Sequence, residues 1–193
     1  YCFARPTHEF WGYSAGVDFE RKLMVKKNAP ELLEKTFQKK SYVPKTIMLS
    51  GNTDCYQPIE RQFEITRKLL QVCLDYRHPV SIITKNALVL RDIDILENLA
   101  EKNLISVSLS IPTINEDLRR VMEPRTSTAK NKLKAIEILT EHKIPVGVMV
   151  APVIPGLTSD ESLNILKTIS EAGAQKFGYV LVRLNDTVEP VFI

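Results

Sequence analysis

The chain has 193 residues, 44% hydrophobic and 25% charged, with a formal net charge of +3. That length supports one domain with a full core, and the mild positive balance suits an anionic ligand but does not by itself argue for nucleic acid. No run of about eighteen apolar residues occurs, so no membrane span is expected, and the three scattered cysteines Cys2, Cys55 and Cys73 form no disulfide framework and fit a reducing, cytoplasmic setting.

The chain opens on YCFARPTHEFWGY, and residues 1–28 read as loop. The aromatic group Phe10, Trp11 and Tyr13, with His8 and Arg5, is expected to pin this segment to the body of the protein; the alternative is a lid or a platform for a stacked base. The pairs Lys26–Lys27 and Lys39–Lys40 read as solvated charge. A helical pattern over 29–40 leads to TIMLSG (46–51), a buried strand. The next helix spans 59–76, with Ile59, Phe63, Leu69, Leu70, Cys73 and Tyr76 on one face. VSIITK (80–85) is a strand, 92–102 a helix and ISVSLSI (105–111) a strand. A polar loop and a helix over 129–142 follow, then the strand PVGVMVAPV (145–153). The helix over 159–172 carries a capping box, Thr158 with Glu161, and stops at Gly173. KFGYVLVRL (176–184) is the last strand, and 185–193 reads as loop. Pro44, Pro79, Pro145 and Pro152 punctuate the joints. Alternating strands and helices demand a mostly parallel sheet, either an open doubly wound sheet or a barrel, within a single domain over 1–193.

In ISVSLSI, Ile105, Val107, Leu109 and Ile111 share one face, and Ser106, Ser108 and Ser110 share the other. A strand covered on both faces is apolar throughout. The apolar face therefore goes under helices and the serines toward a polar, ligand-holding interior; the alternative is an edge strand with one wet face. In parallel α/β folds, ligands sit at the carboxyl ends of the strands. Those ends carry Ser50, Gly51, Asn52, Thr53 and Asp54, then Lys85 and Asn86, Ser108 and Ser110, the 152–156 turn, and Arg183. This crown suits an anionic or zwitterionic small ligand with Lys85 as counter-charge. His8, His78 and His142 lie off these ends and read as loop or surface residues, and no HExxH, Walker or GxGxxG pattern occurs.

The whole chain resembles the radical SAM enzymes, in the branch similar to spore photoproduct lyase. The resemblance rests on YCFARPTHEFWGYSAGVDFE, NTDCYQPIERQFEITR, VSIITKN, MEPRTST and IPVGVMVAPVIPGLTSDE at their proper places. Members carry a loop C-x-x-x-C-x-aromatic-C whose three thiolates hold a 4Fe–4S cluster, with one iron open to S-adenosylmethionine (SAM). YCFAR looks like the end of that loop. The resemblance thus implies a partial (β/α)6 barrel lacking its first strand, on a chain that starts at the third cysteine of the loop. It implies Cys2 as cluster ligand and Tyr1 beside cluster and adenine. Thr53 and Asp54 would meet the methionyl amino group, Lys85 the carboxylate, Ser108 and Ser110 the carboxylate or ribose, and Gly156 the adenine. Glu123 and Arg125 are ribose or substrate contacts, or else a solvent-facing pair.

The implied activity is generation of a 5′-deoxyadenosyl radical, with an electron donor of flavodoxin or ferredoxin type. The implied substrate is unidentified, a nucleic-acid lesion being one option. Gly51 stands where spore photoproduct lyase has a hydrogen-donating cysteine, so repair of thymine lesions does not follow. Cys55 is a small loop residue or a displaced donor, and Cys73 is core. Two alternatives stay open: a barrel aldolase with Lys85 as Schiff-base amine, and a non-catalytic fragment holding too few thiolates for a cluster.

Overall fold

The computed structural model describes residues 1–184 and 188–192. A 3-10 helix (Arg5–Trp11), α1 (Val17–Arg21) and α2 (Ala29–Phe37) precede β1 (Ile47–Leu49). The short α3 (Glu60–Phe63) and α4 (Ile65–Asp75) lead to β2 (Val80–Thr84), and α5 (Ile93–Ala100) leads to β3 (Ile105–Ser110). Next come α6 (Glu116–Met122), α7 (Ala129–Glu141), β4 (Val146–Val153), α8 (Ser162–Glu171) and β5 (Lys176–Leu181), and α9 (Glu189–Phe192) closes the described chain.

The five strands form one sheet whose spatial order is the chain order, each neighbouring pair parallel. That order decides between the two closures. A doubly wound sheet reverses direction once and carries helices on both faces. Without a reversal, right-handed crossovers place the helices on one face, which is the arrangement of a partial barrel. The core agrees. Val80, Ile82, Val107, Leu109, Val146, Val148 and Val150 pack against Leu70 and Cys73 of α4, Leu96 and Leu99 of α5, Ile136 and Leu139 of α7, and Ile165 and Ile169 of α8. On the opposite face Ser81 neighbours Ser106, and Ser108 neighbours Gly147 and then Lys176. Met48 and Ser106 there remain open to solvent.

Several elements depart from the sequence reading. Residues 1–28 contain two short helices rather than loop alone. Phe10 and Trp11 do not pin this segment, being 90% and 63% exposed. Instead it is held by Arg5, which donates to the carbonyls of Ala15 and Gly16 (3.1 Å each), pairs with Glu20 and lies over the Phe19 ring. The strand expected over 46–51 is short and only half-buried, because β1 is an edge.

The helix expected over 59–76 breaks at Glu64, whose φ of 51° is left-handed, and Tyr76 is exposed at its end. Glu60 causes the restart: its carboxylate accepts from the backbone N–H groups of Ile65 and Thr66 and so caps α4 from four residues upstream of its own break. The polar stretch after β3 holds a full helix, α6, capped by Asn115, whose side chain accepts from the N–H groups of Asp117 and Leu118. His78 is buried rather than on the surface, stacked on Phe37 (4.3 Å between centroids) and bonded to the Tyr42 hydroxyl at 2.7 Å.

The capping box before α8 does not form. The Thr158 hydroxyl accepts from the N–H of Ile154 (2.8 Å), while Glu161 reaches across to the loop after β3. Of the stretch 185–193 read as loop, 189–192 is helical, and 185–187 and 193 lie outside the described residues. Gly173 does end α8 with φ of 97°, and a Cβ there would meet Thr140 at 2.9 Å. Among the described residues no helix is long and apolar enough to cross a membrane.

Candidate active site

Parallel strands that share a direction bring their carboxyl ends to one rim, and there the loops converge. After β1 the chain turns through Ser50 in a left-handed conformation (φ 78°), and its hydroxyl accepts from the N–H of Cys55 at 2.8 Å. Asp54 then bridges two strand ends. One of its oxygens accepts from the N–H of Tyr56 (2.8 Å) and the Thr84 hydroxyl (2.7 Å), and the other from the N–H of Lys85 (2.7 Å). Asp54 therefore fixes the backbone that carries Lys85. Thr53 and Gly51 stand exposed beside it, and the Asn52 amide donates to Thr7 of the N-terminal segment (3.3 Å).

The loop 54–56 rests on a buried ionic network. Asp92 is fully buried and accepts from the Tyr56 hydroxyl (3.0 Å), Arg67 (3.1 Å) and Arg91 (2.8 Å). Arg91 also pairs with Glu60 at 3.0 Å. The Thr66 hydroxyl closes the arrangement by donating to the carbonyl of Cys55. Burial pushes the Cys55 thiol up to about 12, so it stays protonated. Cys73 is buried in the core, as expected.

The Lys85 ammonium donates to Glu123 Oε1 at 2.6 Å and to the Tyr1 hydroxyl, and it lies 4.6 Å from the centroid of the Tyr1 ring. Tyr1 also donates to Glu123. The resemblance implied a ribose or substrate contact for Glu123, with a solvent-facing pair as the alternative; the side chain is buried and its carboxylate shared, so the solvent-facing alternative does not hold. Its second oxygen faces the Lys132 ammonium at 3.4 Å and the Thr126 hydroxyl at 3.4 Å. Lys132, from α7, is 1% exposed and donates to the carbonyl of Ser110 at 2.9 Å. Arg119 pins the backbone beneath Glu123 by donating to the carbonyls of Glu123 (2.8 Å) and Thr126 (3.2 Å).

Burial lowers Lys85 to about 8, with repulsion from Lys132 adding to the effect. Burial also lowers Lys132 and raises Glu123, each opposed by the other's charge. Arg125 points away from this cluster to the carbonyl of Glu20. Lys132 is the member that sequence reasoning missed. Its signal was its register: with Ala129, Ala135, Ile136 and Leu139 it shares the buried stripe of α7, where a lysine needs a partner.

Further round the rim, Ser108 is half-exposed and Gly147 beside it has no side chain; a Cβ there would meet the Ser108 hydroxyl at 3.2 Å. Ser110 is buried, its hydroxyl turned to the carbonyl of Ala151 at 3.2 Å. Gly156 takes φ of 75° in an exposed turn, which a Cβ would not obstruct from outside but would strain. Glu161 holds that turn to the loop after β3, accepting from Thr113 (2.7 Å) and the N–H groups of Ile114 (2.9 Å) and Asn115 (3.2 Å). The structure thus joins Tyr1, Asp54, Lys85 and Glu123 by direct contacts, and sets Ser108 and Gly156 on neighbouring strand ends. Cys2 is half-buried next to Tyr1.

A parallel, singly wound sheet with its loops gathered on one carboxyl rim defines the class as a partial α/β barrel. The chain belongs to the radical SAM superfamily, whose family model it matches over residues 1–169. It is 35% identical over 176 residues to the uncharacterized protein Rv2578c of Mycobacterium tuberculosis, covering 90% of this chain and 52% of that protein. To the uncharacterized protein MJ0683 of Methanocaldococcus jannaschii it is 31% identical over 161 residues, covering 83% and 58%. The chain therefore spans about half the length of the curated relatives it matches. Its fold resembles a spore photoproduct lyase variant solved with AdoMet and a dinucleoside spore photoproduct (TM-score 0.70, 15% identity, 99% of this chain and 55% of that one). It also resembles Streptococcus suis SuiB bound to S-adenosylmethionine (TM-score 0.54, 14% identity, 80% and 32%). The family implies SAM and a 4Fe–4S cluster, and an enzyme core.

The residues fit these two groups differently. A half-exposed cation fixed by Asp54, beside a hydroxyl and a side-chain-free floor at Gly147, fits the amino-acid end of SAM. For the cluster, Cys2 is the one thiol at the rim, since Cys55 and Cys73 pack against or within the core. Among the described residues no three His, Cys, Asp or Glu side chains gather as a metal site. The described chain alone offers one of three required thiolates.

Proposed function

We propose that the chain is the SAM-binding core of a cytoplasmic radical SAM enzyme, with Lys85 as the receptor of the methionyl carboxylate. The observation that carries this reading is the position of Lys85. It is a partly buried ammonium at a strand's carboxyl end, its backbone clamped by Asp54 and its head turned to the rim, within a chain that matches the superfamily. When bound, SAM and a reduced cluster supply cleavage of the S–C5′ bond and a 5′-deoxyadenosyl radical that takes hydrogen from substrate.

This chain's own residues bind and orient. Lys85 would hold the carboxylate, Thr53 and Asp54 would face the amino group, Ser108 and Ser110 would border the ribose, and the Gly156 turn would border the adenine. Cys2 would contribute one thiolate of the cluster, with Tyr1 packed between it and Lys85. The electron donor is of flavodoxin or ferredoxin type. The likeness to spore photoproduct lyase is one of fold, so a nucleic-acid substrate stays a proposal to be tested and not a consequence.

The test is the full-length protein purified without oxygen. It is expected to show the broad visible absorbance of an iron–sulfur cluster and to release 5′-deoxyadenosine and methionine from SAM after reduction. Iron-free protein that leaves SAM intact would overturn the reading. A Schiff-base role for Lys85 is the competing reading, favoured by the partial burial of its amine at a strand's carboxyl end. Borohydride trapping of a carbonyl compound on Lys85 would establish that role, and its absence is expected. The 193-residue chain alone is expected to carry less than a stoichiometric cluster.

A further inference from the structure

Lys132 is a buried lysine on the far side of Glu123 from the rim, and binding of a ligand at Lys85 gives it no direct task. Its ammonium has three donors. One goes to the carbonyl of Ser110 at 2.9 Å, and the Glu123 carboxylate lies at 3.4 Å. Glu123 thus stands between two ammonium groups, Lys85 in front and Lys132 behind, with the Tyr1 hydroxyl on the same oxygen as Lys85. Two other charged side chains nearby have partners of their own. Arg119 pairs with Glu116, and Asp54 accepts from two backbone N–H groups and Thr84.

A carboxylate in contact with one ammonium neutralises it; a carboxylate shared between two leaves charge over. We infer that Lys132 is a positioning residue for the carboxylate of the bound ligand. It draws Glu123 back and supplies the positive charge that keeps Lys85 available to a second carboxylate, arriving from the rim. Glu123 is then a resident competitor that aims the Lys85 head and yields it to the ligand. The assignment rests on the proposed SAM-binding role of Lys85.

The charge arithmetic gives a test that simple damage to the fold cannot imitate. The full-length protein with its cluster assembled is titrated calorimetrically with SAM and with 5′-methylthioadenosine, which shares the nucleoside but has no amino-acid carboxylate. Lys132→Met leaves Glu123 to Lys85 alone and is expected to weaken SAM on the order of tenfold, with little change for 5′-methylthioadenosine. Adding Glu123→Gln removes the competitor and is expected to return SAM affinity to within about threefold of the parent. Glu123→Gln alone is expected to tighten SAM.

Unchanged SAM affinity in Lys132→Met, equal losses for both ligands, or no recovery in the double variant would each overturn the assignment. If Lys132→Met does not fold, Glu123→Gln decides, and unchanged or weakened SAM binding sinks the idea. Failure of the parent protein to bind either ligand refutes the proposed function itself, a result distinct from these.

Discussion

Lys85 carries the binding argument at the scale of single residues, and its replacement is the sharpest local probe. Lys85→Ala removes the counter-charge at the rim and leaves Glu123 and Lys132 paired behind it. A loss of SAM affinity on the order of tenfold or more is expected, measured by equilibrium titration, with the folded fraction unchanged by circular dichroism.

His78 makes a separate prediction. Burial against Phe37 lowers its pKa, so the native state holds fewer protons than the unfolded chain near that value. Its contribution to stability is complete above the unfolded pKa of about 6.5 and is lost as pH falls from there through the lower native value. Urea unfolding at pH 7.5 and 5.5 is expected to show the difference, and His78→Gln, which cannot titrate, is expected to shrink it. The sequence placed Lys85 and Asp54 at the site because strand ends are legible from periodicity, and Tyr1 only through the family resemblance. It did not place His78, because burial of a histidine depends on Phe37 and Tyr42, about 40 residues away in sequence and brought together only by α2 packing on α4.

Among the elements, long amphipathic helices and apolar strands were legible, and the misses have identifiable causes. α6 carried its signals openly: Asn115 as cap, Glu116 and Asp117 in the first turn, Arg119 and Arg120 in the last. It hid because just one of its residues, Arg119, is buried, so no apolar stripe marks it. Asn115→Ala is expected to cost about 1 kcal/mol in chemical denaturation.

Glu161 shows the reverse case, a local motif overruled by tertiary partners. Three donors from the 113–115 loop outbid the N–H groups of its own turn. Glu161→Ala takes the acceptor from the Thr113 hydroxyl and the Ile114 N–H, while the Asn115 N–H keeps Thr113, and is expected to destabilise by about 1–3 kcal/mol. Glu161→Gln, which keeps an acceptor oxygen, is expected to lose less. Asp92 is the keystone beneath the 54–56 loop, and Asp92→Ala leaves the buried Tyr56 hydroxyl without its acceptor and Arg91 with Glu60 alone; a loss of about 1–3 kcal/mol is expected. Neither of these two carboxylate roles follows from spacing along the chain, because each joins loops of different β-α units.

Over the whole molecule, chain-order topology is what turns a run of β-α units into a rim with every loop on it. Slow hydrogen exchange is expected to centre on β2, β3 and β4, whose inward residues are buried, and to fall off at β1 and β5; uniform protection across the sheet would contradict that. The last strand presents Phe177, Tyr179 and Leu181, each more than half exposed, with Val180 on its other side and no further strand paired to it among the described residues. A bare, greasy margin of this kind zips readily onto its own likeness. At high concentration the isolated chain should therefore cloud before it unfolds, and swapping Tyr179 for lysine should keep the solution clear by light scattering without altering its melting point appreciably.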